Sequence, residues 1–310
     1  MRIIRDYQFV EPIDRGASAA IGNFDGVHIG HQTVIQMAAD AAPDAHLGVM
    51  TFEPHPRQYF APASPPFRLM SSAARLSRLQ KLGVKRLYEL NFNANLAGLT
   101  PEAFAKDVIV DGLGLRHVVV GSDFCFGKGR AGTAHDLQEF GARLGFGVTI
   151  APLLEEQETI VSSTAIRGAL TDARPRDAAA MLGHWHRIEG PVIGGEQRGR
   201  TLGYPTANMA LEGLHLPAFG VYAVLVDVLD GPHKGQYHGV ASLGVRPMFD
   251  GQQPNLETFV FDFSGDLYGA PVSIGLVDHL RGEAKFDSLD ALITQMNADS
   301  AQARAILAAL

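Results

Sequence analysis

The chain has 310 residues, 46% of them hydrophobic and 19% charged, and a formal net charge of −7 at pH 7. This composition excludes a disordered chain, and the length predicts about two domains, each able to bury a core. The acidic balance disfavours nucleic acid as the main partner, because affinity for a phosphate backbone requires a basic surface.

No apolar run is long enough to predict a membrane span, and the first residues lack the apolar core of a secretory signal. We therefore expect a cytoplasmic protein without a membrane partner. The single cysteine, Cys125, excludes an internal disulfide and fits a reducing compartment. Because Cys125 lies between two phenylalanines, we interpret it as a small buried hydrophobe. The sequence does not determine an oligomeric state.

The first motif is segment 22–31, GNFDGVHIGH, which follows an apolar run ending at Ile21. The run predicts a buried strand, and the amphipathic residues 32–42 predict a helix. A glycine-bearing turn between strand and helix offers backbone N–H groups and the positive end of the helix dipole to an anion. His28 and His31 are three residues apart, so both rings can lie on one side of the helix entrance.

Two other interpretations compete for this segment. A glycine turn with one histidine also occurs in many proteins that bind no phosphate. A zinc site at His28 and His31 is disfavoured, because catalytic zinc takes three protein ligands and no further cluster stands near in the sequence. The residues alone therefore leave two interpretations of the segment open, a nucleotide site and a structural turn.

The rest of the first half alternates between strand and helix signals. Strands are predicted at 47–52, 86–90, 117–121 and 148–150, and helices at 71–82, from Thr100 as N-cap, and at 134–144. Two prolines in segment 53–57, EPHPR, predict an extended turn instead of a helix. The alternation predicts a parallel sheet with helices on both faces. Ligands bind at the carboxyl ends of such strands, so the turns at 22–31, 53–57 and 122–127 are expected to converge.

Segment 121–132, GSDFCFGKGRAG, follows the predicted strand at 117–121. Phe124 offers an aromatic face to a planar ligand, whereas Phe126 is interpreted as a core residue. The segment formally contains GxGxxG, but a dinucleotide fingerprint is expected after the first strand and not after a late one. We interpret it as a flexible basic loop in which Lys128 and Arg130 could close over phosphates.

Segment 162–167, SSTAIR, predicts the start of another helix. Hydroxyls at a helix N-terminus cap it whether or not a ligand binds, and this alone accounts for Ser163 or Thr164. Arg167 is less well explained by capping, because a cation is mildly unfavourable near that end of a helix. An arginine that faces a triphosphate would account for it.

Residues 176–182 predict a short closing helix, and the pattern changes from Gly183 onward. Up to about residue 280, short β-type runs alternate with glycine turns, which predicts a small antiparallel barrel. A terminal helix from about Ser288 is expected to cover the open side of the barrel with its apolar positions Leu289, Leu292, Ile293 and Met296. We therefore predict two domains, 1–183 and 184–310.

Residues 194–208, GGEQRGRTLGYPTAN, open this second half. The glycines and arginines suit a loop that wraps a polyphosphate with backbone N–H groups and positive charge. Thr206 and Asn208 are two residues apart, so on an extended segment both side chains point the same way and offer the hard oxygen donors that suit Mg²⁺. Taken separately, Thr206 is more often a cap and Asn208 a turn residue.

Glu257 lies further along the second half, in a predicted strand. On spacing alone, we interpret it as a solvated carboxylate on that strand.

Three motifs carry a resemblance to a known family. Segment 22–31 resembles the GxFDGxHxGH signature of the nucleotidyltransferase superfamily, and SSTAIR resembles the SSTxIR motif of the same superfamily. GRTLGYPTAN resembles the GRxLGxPTAN signature of riboflavin kinases. Because the motifs follow in the family order along almost the whole chain, the sequence resembles the bifunctional riboflavin kinase/FMN adenylyltransferase family.

The resemblance implies an α/β plus β fold, with a nucleotidyltransferase-type Rossmann-like domain before a small antiparallel β-barrel with a terminal helix. It implies riboflavin, FMN and ATP as substrates and Mg²⁺ as the cofactor. The implied ATP and phosphate contacts are Gly22, Asn23, Phe24, Asp25, Gly30, Ser162, Ser163, Thr164, Gly194, Arg200 and Gly203. The implied catalytic residues are His28, His31, Arg167 and Glu257, the flavin contacts are Asp123, Phe124 and Arg281, and the metal ligands are Thr206 and Asn208.

The two implied reactions need different residues. A ribityl hydroxyl is a poor nucleophile at neutral pH, so its attack on ATP requires a base, and Glu257 has that role in the family. The phosphate of FMN is already ionised, so its adenylylation requires positioning and charge neutralisation but no base. Two alternatives remain: only one activity is retained while the other half is a flavin-binding regulatory module, or the first half acts on a different phosphorylated substrate.

Overall fold

The computed structural model describes residues 1–153, 155–156, 159–194, 204–248 and 251–310. The chain packs as two compact units, which we describe separately. The first unit comprises Met1–Pro65 and Arg75–Val161, and the second comprises Pro66–Ala74 and Ser162–Leu310. Within the described residues, no helix is both long and apolar enough to cross a membrane.

The first unit is built on a six-stranded sheet in which every neighbouring pair is parallel, as predicted. Its central strands at 18–21 and 117–121 are largely buried runs of mostly apolar residues, which is typical of a sheet covered on both faces. The strands of the unit are β1 (Arg2–Ile4), β2 (Ser18–Ile21), β3 (Leu47–Glu53), β4 (Arg86–Asn91), β5 (His117–Gly121), β6 (Cys125–Phe126), β7 (Gly132–Thr133), β8 (Gly147–Ala151), β9 (Glu155–Glu156) and β10 (Thr159–Ile160). The sheet order is β1-β4-β3-β2-β5-β8, whereas β6 with β7 and β9 with β10 form separate two-stranded pairs.

The helices up to residue 144 are α1 (Ile29–Ala41), α2 (Pro56–Phe60), α3 (Ser72–Lys81), α4 (Ala94–Ala97), α5 (Pro101–Ala103) and α6 (Ala134–Leu144). A π-helical segment, Phe104–Gly112, continues directly from α5. The prediction that two prolines exclude a helix after β3 is wrong. Pro56 occupies the first turn of α2, where proline is tolerated, and the ring of His55 accepts a hydrogen bond from the N–H of Arg57 at 3.0 Å.

The strand order defines where a ligand can bind in the first unit. From β2 the chain passes through α1 to β3 on one side, and it later returns to β5 on the other side of β2. The carboxyl ends of β2 and β5 therefore flank the point where the strand order reverses. In open α/β sheets this is the crevice that takes nucleotides.

The second unit is built on a six-stranded antiparallel sheet that curls into a half-barrel, as predicted. Its order is β11-β16-β13-β14-β15-β12, and a bridge between Ile193 and Asn208 brings its two edges together. The strands are β11 (His186–Pro191), β12 (Thr206–Ala210), β13 (Gly220–Val228), β14 (Gly235–Met248), β15 (Gly251–Val260) and β16 (Pro271–Arg281). The helices are α7 (Ser163–Thr171), α8 (Pro175–Leu182) and α9 (Leu289–Leu307).

The two faces of β13 explain the layering of this unit. Alternate residues Tyr222, Val224 and Val226 belong to the barrel core. The intervening residues Val221 and Ala223 contact Ala303 and Leu307 of α9 on the outer face. The predicted terminal helix is confirmed, with Ser288 as its N-cap. Leu289, predicted on its apolar face, is 55% exposed because it lies in the first turn, whereas the buried contacts come from the last two turns.

Candidate active sites

The turn after β2 is a compact, largely buried structure. Phe24 and Val27 adopt left-handed backbone conformations with φ of 51° and 46°, and Asp25 is only 3% exposed. The hydroxyl of Thr51 on β3 donates to the carbonyl of Asn23 at 3.2 Å, and the N–H of Gly22 donates to the carbonyl of Met50. The turn is therefore tied to the end of the neighbouring strand, and its shape exists before any ligand binds.

His28 and His31 lie side by side at the start of α1. Their rings stack with centroids 3.6 Å apart and an interplanar angle of 19°. The Nδ1 atom of His28 accepts a hydrogen bond from the backbone N–H of His31 at 3.3 Å, so His28 is the N-cap of the helix. This bond makes Nδ1 an acceptor, and the neutral ring then carries its proton on Nε2.

Burial changes the charge of both rings. It lowers the pKa of His28 to about 4, and burial together with the neighbouring His28 lowers the pKa of His31 well below its ordinary value. Both rings are therefore uncharged at pH 7. They can donate a hydrogen bond to a phosphate oxygen, but they do not neutralise its charge.

Backbone donors complete this end of the sheet. Within the part of the chain that the structure describes, the N–H groups of Ile29 and Gly30 have no protein partner. They lie in the first turn of α1, where the helix dipole is positive. The turn therefore offers two open N–H groups and uncharged imidazoles to an anion.

The residues after β5 lie across the crevice from this turn. The carboxylate of Asp123 folds back over Gly121. A Cβ placed on Gly121 would lie 2.9 Å from Oδ1 of Asp123. Phe124 is half-buried and stacks on Phe126 with centroids 5.5 Å apart. Phe126 belongs to the core, as predicted. Cys125 is half-buried instead of buried, because it lies on a short hairpin strand at the edge of the unit.

The hydroxyls of segment 162–167 are grouped with the second unit. The N-cap of α7 is Ser162, whose hydroxyl accepts from the N–H of Ala165 at 3.2 Å. The prediction of Ser163 or Thr164 as the cap is therefore wrong, because the helix begins one residue earlier. The guanidinium of Arg167 donates to the hydroxyl of Thr164 at 3.2 Å and to the carbonyl of Phe67 at 3.3 Å. These bonds orient Arg167 along the first turn of α7.

The second unit contains a cavity of about 340 Å³ between the curled sheet and α9. Its polar lining residues are Thr206, Ser242, Glu257, Arg281, Glu283 and Asp299. Its apolar and aromatic lining residues include Tyr204, Phe259, Phe286, Leu292 and Met296. A ligand with a flat apolar portion and a polar tail matches this mixed lining.

Strand pairing brings the polar residues together. Asn208 on β12 and Ser242 on β14 both pair with Glu257, on opposite sides of β15. The amide of Asn255, two residues before Glu257, donates to Asn208 Oδ1 at 3.1 Å and to Glu257 Oε1 at 3.2 Å. Thr206 and Asn208 share one face of β12, as the period of two predicts. The result is a carboxylate held beside hydroxyl and amide oxygens.

Arg281 has a structural partner at the rim of this cavity. Its guanidinium donates to both carboxylate oxygens of Asp299 at 2.8–3.1 Å and lies 5.7 Å from the ring centroid of Phe286. The pair joins the end of β16 to α9. The carboxylate of Glu283 reaches back to β14, where a Cβ on Gly244 would lie 2.5 Å from Oε1.

Two predicted residues lie outside the described part of the chain, namely Arg200 and Gly203. Gly194 is described and exposed after the bridge at Ile193. Sequence reasoning missed Asn255, Ser242 and Glu283. Asn255 could have been found from its spacing of two from Glu257, whereas Ser242 is brought near only by long-range strand pairing.

A parallel sheet with an anion-binding crevice, followed by an antiparallel half-barrel with a carboxylate-lined cavity, defines a two-site ATP-dependent transferase. Comparison with known families identifies each half. The family model described as FAD synthetase matches residues 10–165, and the model described as riboflavin kinase matches residues 182–307. The chain belongs to the family of bifunctional riboflavin kinase/FMN adenylyltransferases.

Relatives with that description cover nearly the whole chain. The Pseudomonas fluorescens protein is 41% identical over 99% of this chain and 98% of its own length. The Escherichia coli K12 protein is 38% identical over 98% of this chain and 97% of its own. A crystal structure described as a macrolide-efflux protein from Streptococcus pneumoniae has a TM-score of 0.82 and 34% identity, and covers 96% of both chains.

Proposed function

We propose that the second unit phosphorylates riboflavin at the cavity lined by Glu257, and that the first unit adenylylates the resulting FMN at the crevice between β2 and β5. The observation that carries the kinase assignment is the pairing of Glu257 with both Asn208 and Ser242, where Glu257 and Ser242 line that cavity. In domain terms, residues 1–183 are the proposed adenylyltransferase domain and residues 184–310 the proposed riboflavin kinase domain.

In the kinase reaction, the terminal ribityl hydroxyl attacks the γ-phosphorus of ATP, and ADP leaves. Glu257 accepts the hydroxyl proton, because an alcohol is a weak nucleophile at neutral pH. The hydrogen bond from Asn255 to Oε1 holds one carboxylate oxygen in place. The apolar and aromatic lining residues are suited to the flavin ring, and the Arg281–Asp299 pair joins β16 to α9 beside them.

The donor set beside Glu257 fits Mg²⁺ bound together with ATP. The hydroxyl of Thr206 and the amide oxygen of Asn208 are hard neutral donors that would hold Mg²⁺ together with the phosphate oxygens of ATP. Asn208 is 3% exposed, and its Oδ1 is oriented by the hydrogen bond from Asn255. When bound, the ion neutralises charge that develops on the transferred phosphoryl group.

In the adenylyl transfer, a phosphate oxygen of FMN attacks the α-phosphorus of ATP, and pyrophosphate leaves. The nucleophile is already ionised, so this step requires orientation instead of a base. The open N–H groups of α1 and the imidazoles of His28 and His31 are the proposed donors to phosphate. On the motif match, the residues assigned to ATP in this reaction are Gly22, Asn23, Phe24, Asp25, Gly30, Ser162, Ser163, Thr164 and Arg167, and those assigned to the flavin are Asp123 and Phe124. Gly194 is assigned to ATP in the kinase reaction.

The test incubates the purified protein with riboflavin, ATP and Mg²⁺ and separates the flavins by chromatography over time. We expect FMN to appear first and FAD afterward. Glu257→Gln should make no FMN from riboflavin and still convert added FMN to FAD, whereas His31→Ala should accumulate FMN. Matched controls are Glu189→Gln, a strand glutamate of the same half-barrel, and His46→Ala, an exposed histidine of the first unit.

Each contrary result has a definite meaning. Loss of both activities in Glu257→Gln would contradict the assignment of separate sites. A normal rate of FAD formation in His31→Ala would contradict the placement of the adenylyl-transfer site. FMN that never proceeds to FAD in the unsubstituted protein would favour the alternative in which only the kinase is retained.

A further inference from the structure

The adenylyl-transfer site requires positive charge that its histidines do not supply. ATP and FMN are both anions, and bringing their phosphates together is opposed by repulsion. His28 and His31 are uncharged at pH 7 because burial lowers the pKa of both rings. The open N–H groups of α1 contribute only partial charge. Cationic side chains of the first unit that lie at this edge of the sheet would add compensating charge to that of Arg167.

The hairpin of β6 and β7 lies at the correct edge of the sheet. It follows β5 directly, and β5 pairs in parallel with β2, so the hairpin and the 22–31 turn leave the sheet at the same edge. Its tip, residues 127–131, carries Lys128 and Arg130, both exposed. Within the residues that the structure describes, neither side chain forms an ion pair or a hydrogen bond.

The base of this tip is rigid, although the sequence pattern predicts a flexible loop. The N–H of Lys128 donates to the carbonyl of Leu99 at 2.7 Å. Gly127 and Gly132 both press against Pro101, and a Cβ on either glycine would lie 2.8 Å from an atom of that proline. The anchoring holds the backbone in place while the two charged ends extend into solvent.

Two arginines of the first unit, Arg5 and Arg75, are already neutralised by carboxylates. Arg5 donates to Glu89 at 3.1 Å. Arg75 is buried and donates to both Glu53 and Glu89. Lys128 and Arg130 differ because they have no carboxylate partner in the described structure. Arg130 also keeps a left-handed backbone, φ 59°, which is unfavourable for a residue other than glycine.

We propose that Lys128 and Arg130 bind a substrate phosphate of the adenylyl-transfer reaction, and we call them the hairpin cations. This inference rests on the proposed function of the first unit. The chemistry recognised is a phosphate group with two or more negative charges. It has two possible sources, the phosphate of FMN and the β,γ-phosphates of ATP, and the experiment distinguishes them. The hairpin cations hold and steer the anion and take part in no covalent step.

The test measures KM for FMN and KM for ATP in FAD formation by the full chain. In Lys128→Gln/Arg130→Gln, both charges are removed while side-chain length is nearly kept. In Lys128→Arg/Arg130→Lys, both charges remain. Lys85→Gln is the matched control, because Lys85 is an exposed lysine just before β4, at the opposite edge of the same sheet. Riboflavin phosphorylation by each variant reports whether the chain is intact.

The charge-removing variant should raise one KM about tenfold or more and weaken its dependence on salt. A rise in KM for ATP assigns the hairpin cations to the β,γ-phosphates, and a rise in KM for FMN assigns them to the flavin phosphate. The charge-keeping variant and Lys85→Gln should stay within about twofold of the original protein. If neither KM rises, the inference is wrong, even where kcat falls. If the unsubstituted protein makes no FAD from FMN, the proposed function itself fails.

Discussion

Replacing His186 with leucine is expected to remove part of the acid sensitivity of the second unit. His186 lies on β11, paired with Leu276 of β16, and is 3% exposed. Burial, with smaller contributions from His184 and His215, lowers the pKa of His186 to about 3. The folded unit therefore keeps this ring neutral at pH values where the unfolded chain protonates it.

The sign and size of the effect follow from this difference in proton uptake. Between the folded pKa of about 3 and the ordinary value of 6.5, the unfolded state binds more protons at this position, so stability falls as the pH falls. From pH 7 to pH 5, this one group should lower the free energy of unfolding by about 2 kcal/mol. In His186→Leu that contribution is absent, while all other titrating groups remain.

The assay is urea unfolding at pH 7, 6 and 5, followed by the fluorescence of Trp185. This residue is the only tryptophan in the sequence, and it packs against the outer core between the sheet and α9, so it reports on the second unit. The original protein should lose about 2 kcal/mol more than His186→Leu over this range. His238→Leu, at an exposed position of β14, is the control and should follow the original protein. Equal losses in the original protein and His186→Leu would refute the reasoning.

Three further substitutions test local contacts. His28→Asn keeps a short side chain whose oxygen can cap α1, but its amide does not reach as far as the imidazole Nε2, so it should keep stability and lose adenylyl transfer. His28→Gln has a longer side chain with a donor but is a poor N-cap, so it should keep more adenylyl transfer and lower the free energy of unfolding by about 1 kcal/mol. Thermal melts and FAD assays that rank the two variants in the reverse order would contradict this. Asp299→Asn leaves Arg281 without its charged partner and should lower the urea-measured free energy of unfolding by about 3 kcal/mol, and an unchanged midpoint would argue against the pair. Gly220 has a φ of 146°, and a Cβ on it would collide with the backbone of Arg281. Gly220→Ala should therefore lower the free energy of unfolding by at least about 3 kcal/mol in the same measurement. In the control Gly190→Ala, the added Cβ meets only ordinary contacts, and the free energy of unfolding should fall by about 1 kcal/mol or less.

Local patterns predicted most elements because neighbouring residues suffice to define them. Strand β5 and helix α6 have the predicted bounds, since β5 is an apolar run that ends at Gly121 and α6 is an amphipathic run that ends at the C-cap Gly145. The failure at α2 shows the limit of local rules. A proline excludes a helix interior but suits a first turn, and which of these applies depends on where the chain leaves β3.

In the candidate sites, spacing determined which residues share a face, but not which charges they carry. The spacing of His28 and His31 correctly brings the rings together on one side of α1. It does not indicate that both are neutral, because the pKa depends on how deeply the surrounding turn buries them. Nor does spacing indicate that Arg281, a predicted flavin contact, donates hydrogen bonds to Asp299. Asp299 lies 18 residues further along the chain and is brought near by the packing of α9 on the sheet.

The amino-acid sequence alone determined the order of the two halves, their fold classes and the motifs that mark each reaction, because these depend on short-range periodicity and on residue types at fixed spacing. The tertiary structure decided which side chains meet. Strand pairing brings Ser242 and Asn208 to opposite sides of Glu257. The reversal of strand order at β2 brings the hairpin cations to the edge where α1 begins. Both arrangements depend on hydrogen bonds between strands far apart in the chain, and no local pattern encodes that register.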